Sequence, residues 1–227
     1  MARALPFFAA LSLVSAAAAA RTEERAVPRF DALEVASGIR VTAEIGQLRP
    51  VRIEADDEAL QLLDIKVVDG ALRIGFKPDT HYHGGGSVNV QVQTPELKAV
   101  AASGGAIVRA AMTRDREHAV QASGGSELHI KGVDASRLSI QGSGGAVIEI
   151  EGSADSLNLE ISGGTQIHGA RLSLKDVVVQ ASGGSQADLR AEGKIRGALS
   201  GGSELHVRGR AKAQVAASGG SSVNLED

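Results

Sequence analysis

Ala119-Val120-Gln121-Ala122-Ser123-Gly124-Gly125-Ser126-Glu127-Leu128-His129-Ile130 is the stretch on which the fold turns. Val120 and Ala122 flank Gln121 ahead of a Ser-Gly-Gly corner, and Leu128 and Ile130 flank His129 beyond it. A period of two with one apolar face describes a half-buried strand, so the stretch predicts two short strands meeting at a glycine bend. The tripeptide begins again at Ser103, Ser143, Ser162, Ser182, Ser200 and Ser218, giving spacings of 20, 20, 19, 20, 18 and 18 residues along the series. Repetition at that period marks stacked supersecondary units, none of which can bury its apolar face alone.

Register separates two architectures. A two-residue Gly-Gly hairpin would pair Ser123 with Ser126, and hence Ala122 with Glu127 and Val120 with His129, setting apolar against polar on one face. A three-residue loop with a bulge restores the match and leaves an antiparallel meander open. A parallel β-helix meets the pattern without adjustment, because near-identical coils superpose and equivalent residues form files about 4.8 Å apart. The expectation is therefore an all-β, single-stranded parallel β-helix with coils of about 20 residues.

The glycine pairs, Gly104-Gly105, Gly124-Gly125, Gly144-Gly145, Gly163-Gly164, Gly183-Gly184, Gly201-Gly202 and Gly219-Gly220, are read as structural turns. Glycine suits a coil that bends through positive φ or packs closely on its neighbour. They are not phosphate cradles, since each pair leads into a strand and not into the lysine and helix of a P-loop. Length variation falls in the second connection of each coil, which predicts a tight bend at the glycines and a tolerant loop opposite.

Residues 29–98 alternate less regularly and are expected to be the opening coils of the same body, which continues as the repeat array over residues 99–227. Val35-Ala36-Ser37-Gly38-Ile39-Arg40-Val41 echoes the repeat with one glycine. Residues 56–64, acidic at their start, form the one plausible short helix.

Ahead of this body, Arg3, an apolar run over residues 5–14 and small residues over 16–20 read as a secretory signal over residues 1–20, too short in its apolar part to span a bilayer. Residues 21–28 would then be a linker, and no later stretch reads as a transmembrane segment. The chain has no cysteine, so neither a disulfide nor a lipid-modified cysteine is available to an exported protein. A formal charge of −3 with both signs interspersed leaves no nucleic-acid footprint. Beyond the signal the aromatic residues are Phe30, Phe76 and Tyr82 alone. The array must fill its interior with valine, leucine, isoleucine and alanine, which suits a thin, stacked core.

The opening Phe30-Asp31-Ala32-Leu33-Glu34-Val35, the later Asp69-Gly70-Ala71-Leu72-Arg73-Ile74 and the serial Ser-Gly-Gly coils together resemble the head GIN domain family, bacterial envelope proteins labelled auto-transporter adhesins. The resemblance spans nearly all of the chain after the signal. It implies a right-handed, single-stranded β-helix and brings no catalytic residue with it. The repeated strands and aromatic girdles of a translocator barrel are not seen in the sequence.

Six residues past each repeat serine stand Arg109, His129, Glu149, His168, Asp188, His206 and Asn224. Coil stacking would set imidazole against carboxylate through five successive coils, His129, Glu149, His168, Asp188 and His206, with Glu127 and Glu204 on the same side. Histidine and carboxylate are ligand types for zinc, and such a row could also respond to mild acid. Alternately, it simply avoids stacking like charges at strand spacing. Gln121, Gln141, Glu160 and Gln180 make a second file, whose amides could hydrogen-bond along the stack. His81-Tyr82-His83, before three glycines, is a loop that could hold a metal or merely cover the surface.

Catalysis finds little footing. Glu127, Glu149, Glu160, Asp188 and Glu204 are scattered where glycosidase chemistry needs two carboxylates at a set distance. Neither a Gly-x-Ser-x-Gly elbow nor a His-Glu-x-x-His helix occurs, and nothing calls for a cofactor. The reading is a noncatalytic, exported structural or interaction module at the bacterial envelope, periplasmic or at the cell surface, recognising a glycan or a protein. The alternative is a polysaccharide-active enzyme on the same fold. Glu226 and Asp227 after the last strand would discourage edge pairing, so a monomer or small homo-oligomer is expected.

Overall fold

The computed structural model describes residues 20–80, 82–84 and 86–226. The predicted signal lies, but for Ala20, outside them. In chain order the N-terminal part contains β1 (Arg21–Arg25), β2 (Ala32–Val35), β3 (Arg40–Ile45), β4 (Val51–Ala55), α1 (Asp57–Leu62), β5 (Leu63–Val68), β6 (Ala71–Phe76) and β7 (Asn89–Thr94). The array contains β8 (Ala99–Ala102), β9 (Ile107–Ala111), β10 (Asp115–Ala122), β11 (Glu127–Gly142), β12 (Val147–Ile161), β13 (Gln166–Ala181), β14 (Gln186–Ala191), β15 (Lys194–Leu199), β16 (Glu204–Arg208), β17 (Lys212–Ala217) and β18 (Ser222–Glu226).

The array is a parallel β-solenoid. Val120 is in register with Ile140, Ile140 with Leu159, Leu159 with Val179, and Val179 with Gly197. Equivalent repeat positions are thus direct neighbours, and the meander is ruled out. Each coil has three inward-facing runs, not the two that alternation suggests. In one coil Ser126, Leu128 and Ile130 point inward, then Val133 and Ala135, then Leu138 and Ile140. The alternation resets between Ile130 and Val133 and again between Ala135 and Leu138, which is where the coil turns.

The second connection is not a loop in mid-array. β11, β12 and β13 run through it as continuous strands, and the length differences are absorbed by register shifts at Ile130/Val133, Glu149/Glu151 and Gly169/Ser173. A bulge bends a strand without giving up the flanking hydrogen bonds. The connection opens toward the ends of the array, between β9 and β10 on one side and between β14 and β15 and between β16 and β17 on the other.

The glycine corners are turns in which both central residues have positive φ, as in Gly124 (60°) and Gly125 (73°), with Ser126 N–H donating to the Ser123 carbonyl at 3.3 Å. This is the sense of a type I′ turn, which glycine adopts without steric cost. Thirteen of the fourteen repeat glycines lie at positive φ; Gly164 is the exception. Ser37 and Gly38, at 64° and 71°, form the same corner in the N-terminal part. A hydroxyl missed by the sequence reading stands after many corners. Thr165, Ser185 and Ser203 are buried and donate to the carbonyls of Ser162, Ser182 and Ser200 at 2.7, 2.8 and 2.9 Å. Buried polar groups are expected to be satisfied in this way.

Residues 29–98 differ from simple opening coils. β2 pairs in parallel with both β6 and β8, and β3 with both β7 and β9. The coil made first in sequence is therefore sandwiched between the segment carrying β6 and β7 and the first Ser-Gly-Gly coil. Outside it, β5 joins β6 and β4 joins β7 in antiparallel fashion. Residues 21–25, expected to be linker, form β1, the antiparallel partner of β4. Their register brings Glu23 opposite Ile53 and gives the stack an outer covering. The expected helix is α1; the Asp56 side chain caps it by accepting from Ala59 N–H at 2.8 Å, and Ala59 and Leu60 are buried.

The far end is finished differently. β17 and β18 have parallel neighbours on one side, β15 and β16. Val215 and Val223 are only partly buried there, and Leu225 is 49% exposed. No helix among the described residues is long and apolar enough to cross a membrane.

Candidate functional site

The predicted imidazole–acid file exists as a file of backbone neighbours. Arg109, His129, Glu149, His168, Asp188, His206 and Asn224 follow one another in register. Their side chains, however, gather into separate groups. His129 places Nδ1 2.8 Å from Glu149 Oε2 and Nε2 2.6 Å from Glu127 Oε1. Glu149 also receives Arg171 at 2.5 Å, and Arg171 reaches Glu151 at 2.9 Å. The His129 hydrogen bond, with the Arg171 charge beside it, holds the Glu149 carboxyl below the usual carboxylate range. His168 is 3.8 Å from Asp188, and His206 turns to Glu204 at 2.9 Å. Among the described residues no three histidine, aspartate or glutamate side chains converge on a point a metal could occupy. The arrangement is a set of ion-paired clusters on a strand face.

Of the His81-Tyr82-His83 loop, His81 lies outside the described residues. Tyr82 is anchored: its hydroxyl bonds to Asp56 and to the Gly86 carbonyl, and its ring stacks on Phe76 with centroids 5.3 Å apart. Burial, reinforced by the Asp56 carboxylate, pushes the phenol up to about 12. Backbone bonding to Ala59, then the Tyr82 hydroxyl, holds Asp56 below its ordinary value.

One buried histidine escaped the repeat columns. His118 is 3% exposed, donates from Nε2 to the Thr113 carbonyl at 2.8 Å, and leaves Nδ1 without a partner. It stands in register with the apolar Leu138, five residues ahead of the repeat serine, a column in which it is the odd member.

A groove of about 1120 Å³ runs along the strand ends preceding the glycine corners. Each coil contributes one polar residue and one repeat serine, from Gln121 and Ser123 through Gln180 and Ser182. The expected amide ladder is not closed: among the described residues no hydrogen bond engages the Gln121, Gln141 or Gln180 side chains, and Glu160 accepts only from Asn158 at 3.1 Å. At the N-terminal end the groove meets Phe76, Pro78, Lys66 and Arg73. The charges there are already matched, Lys66 with Asp64 at 2.6 Å and Arg73 with Glu34 at 2.9 Å.

Comparison with known proteins agrees with this architecture. A family model described as "Putative auto-transporter adhesin, head GIN domain" matches residues 29–211. A crystal structure of a "putative adhesin" from Bacteroides fragilis is similar, with a TM-score of 0.79, 18% identity, and 91% of this chain and 96% of that one covered. A "putative lipid binding protein" from Parabacteroides distasonis aligns at TM-score 0.72 and 15% identity, covering 92% and 97%. A "putative adhesin" from Parabacteroides merdae aligns at 0.67 and 19%, also covering 92% and 97%. At these identities the likeness is one of fold. No curated protein matches the chain significantly.

Proposed function

The chain belongs to the head GIN domain family of auto-transporter adhesin-like proteins, and from that premise we propose that it is an exported interaction module of the bacterial envelope, one that recognises a glycan or protein surface without transforming it. The observation that carries this reading is the long groove with polar side chains left unbonded on a rigid stack. Rigid scaffolds that present unsatisfied polar groups in a concavity are suited to recognition.

Electrostatics support binding over catalysis. The carboxylates with shifted ionisation, Asp56, Asp115 and Glu149, are all displaced downward. A glycosidase acid needs the opposite displacement, produced by an apolar setting. Glu149, tied to His129 and Arg171, is already engaged. Export rests on the N-terminal signal pattern, and the reading places the protein in the periplasm or at the cell surface, as a monomer or small oligomer.

Co-sedimentation with isolated cell envelopes tests the reading. Retention that is lost after periodate treatment identifies a glycan target, and retention lost after protease treatment identifies a protein. Envelopes that retain none of the protein at physiological salt overturn it, as does a signal region that fails to carry the chain out of the cytoplasm.

A further inference from the structure

Four observations on the groove bear on what fills it. First, its walls carry free side-chain donors and acceptors: the amides of Gln121, Gln141 and Gln180 and the hydroxyls of neighbouring repeat serines bond to nothing else among the described residues. An amide offers two donors and an acceptor, and a hydroxyl offers one donor and two lone pairs. Second, these groups recur at the strand spacing of about 4.8 Å along the stack. From β6, through β2 and β8, to β15 the groove spans seven strand steps, about 34 Å on that spacing. Third, its net charge is small and local. The two cations at its end are paired with carboxylates, and Glu160 is the acidic residue midway. Fourth, its volume of about 1120 Å³ exceeds the 300–1,000 Å³ or so typical of small-ligand pockets, and it is open along its length.

These features exclude several occupants. An added peptide strand needs a free backbone edge, whereas the strands beside the groove are bonded to neighbours on both sides in mid-array, as β11 is to β10 and β12. A phosphate-bearing polymer needs a row of arginine or lysine, and mid-groove has none. An acyl chain needs an enclosed apolar lining, whereas this groove is open and four successive coils, from Gln121 and Ser123 to Gln180 and Ser182, each add an amide or carboxylate and a hydroxyl. What remains is a chain that is long, uncharged and dense in hydroxyls.

We propose that the groove is a binding site for a linear, uncharged polysaccharide lying along the solenoid axis, with Phe76 forming an aromatic platform at one end. The inference rests on the reading of the protein as an envelope-recognition module and names the surface and the ligand class. Successive sugar units meet successive coils, so the Gln and Ser rows act as a ruled surface that reads hydroxyls. Phe76, fixed by its stacking on Tyr82, offers ring surface to the less polar face of a sugar. Aromatic rings supply such contact area at low entropic cost. The aromatic platform absent from the array sequence thus comes from the N-terminal segment, brought to the groove by β6.

Calorimetric titration with a length series of neutral linear oligosaccharides, cellulose-type, xylan-type and mannan-type, tests the proposal. Affinity is expected to rise with chain length and then level off. Gln121→Ala/Gln141→Ala/Gln180→Ala together, or Phe76→Ala alone, should weaken binding at least tenfold, while His206→Ala, in the ion-paired file, leaves it unchanged. The glutamines are exposed, so thermal melts should show the triple variant folded. Binding that ignores chain length, that survives the triple variant, or that fails with every oligosaccharide overturns the proposal. So does binding of phosphatidylethanolamine–phosphatidylglycerol vesicles that the triple variant abolishes, which would make the groove a lipid site. Envelope retention that persists in the triple variant removes the groove assignment and leaves the module reading intact; absence of retention in the parent protein removes that reading itself.

Discussion

His129 and Glu149, twenty residues apart in sequence, are joined across one coil step by an Nδ1–Oε2 contact of 2.8 Å, and the other ring nitrogen of His129 faces Glu127 at 2.6 Å. The pair also fixes the direction of an acid response. Glu149 gives up its proton more readily folded than unfolded, so it adds stability above the ordinary glutamate range, and that contribution is lost as pH falls through its lowered value. Melting temperature should drop below about pH 4.5, and His129→Ala should flatten that part of the profile. Glu149 is 40% exposed, so solvent screening keeps the difference at or below about 1 kcal/mol. Parallel pH–melting curves for the two proteins check this.

The two glycines of one corner should not be equivalent. Gly183 and Gly184 both have positive φ, 69° and 81°, so alanine costs about 1–2 kcal/mol at either. A Cβ on Gly183 would lie 3.0 Å from Gly163 N in the preceding coil, whereas one on Gly184 meets open space. Gly183→Ala should therefore lose a further 1–3 kcal/mol or so through overpacking. Urea unfolding of both variants gives the comparison directly.

Tyr82 is the one tyrosine in a chain without tryptophan, so its ionisation is directly visible in the near-ultraviolet. The phenolate transition should be centred at about 12. Asp56→Asn removes the carboxylate that opposes the charged form and should bring the midpoint down. A midpoint unmoved by Asp56→Asn would mean the hydroxyl is not held against that carboxylate in solution.

Protection should grade along the stack. Ile140 is fully buried between coils, and its truncation to alanine should cost about 2–5 kcal/mol. Val223→Ala, in a strand with one neighbour and partial burial, should cost under about 1.5 kcal/mol. Hydrogen exchange should be fastest in β17 and β18 and slowest around β11 to β13, as expected where local opening is least resisted.

The parts of this structure that could be read in advance follow from repetition. Val120, Ile140, Leu159 and Val179 had to share a file once coils of like length were stacked, because parity leaves them no other face. The short third side, with Val133 and Ala135, was hidden since two resets of alternation flank it and a period-two reading skips across them. The insertion of β2 between β6 and β8 was equally hidden: alternating apolar strands are interchangeable as neighbours, and nothing in Leu33 or Val35 names a partner. Side-chain choice within the acid–imidazole file was also invisible, since Glu149 could have turned to His168 as well as to His129. The groove needed three dimensions. Its polar wall was present in the columns of Gln141 and Ser143, but its aromatic end depends on Phe76 arriving from a part of the chain with no repeat.

The sandwiched position of β2 and β3 has a consequence for the order of assembly. In a chain that enters its folding compartment N-terminus first, residues 32–45 arrive with both flanks bare and need residues 71–94 to supply one side. Beyond that unit each coil pairs with the one before it in sequence, so none of the later strands has to thread between two already in place. The molecule thus confines its one out-of-order pairing to the beginning, and in the long remainder neighbours in sequence order are neighbours in space.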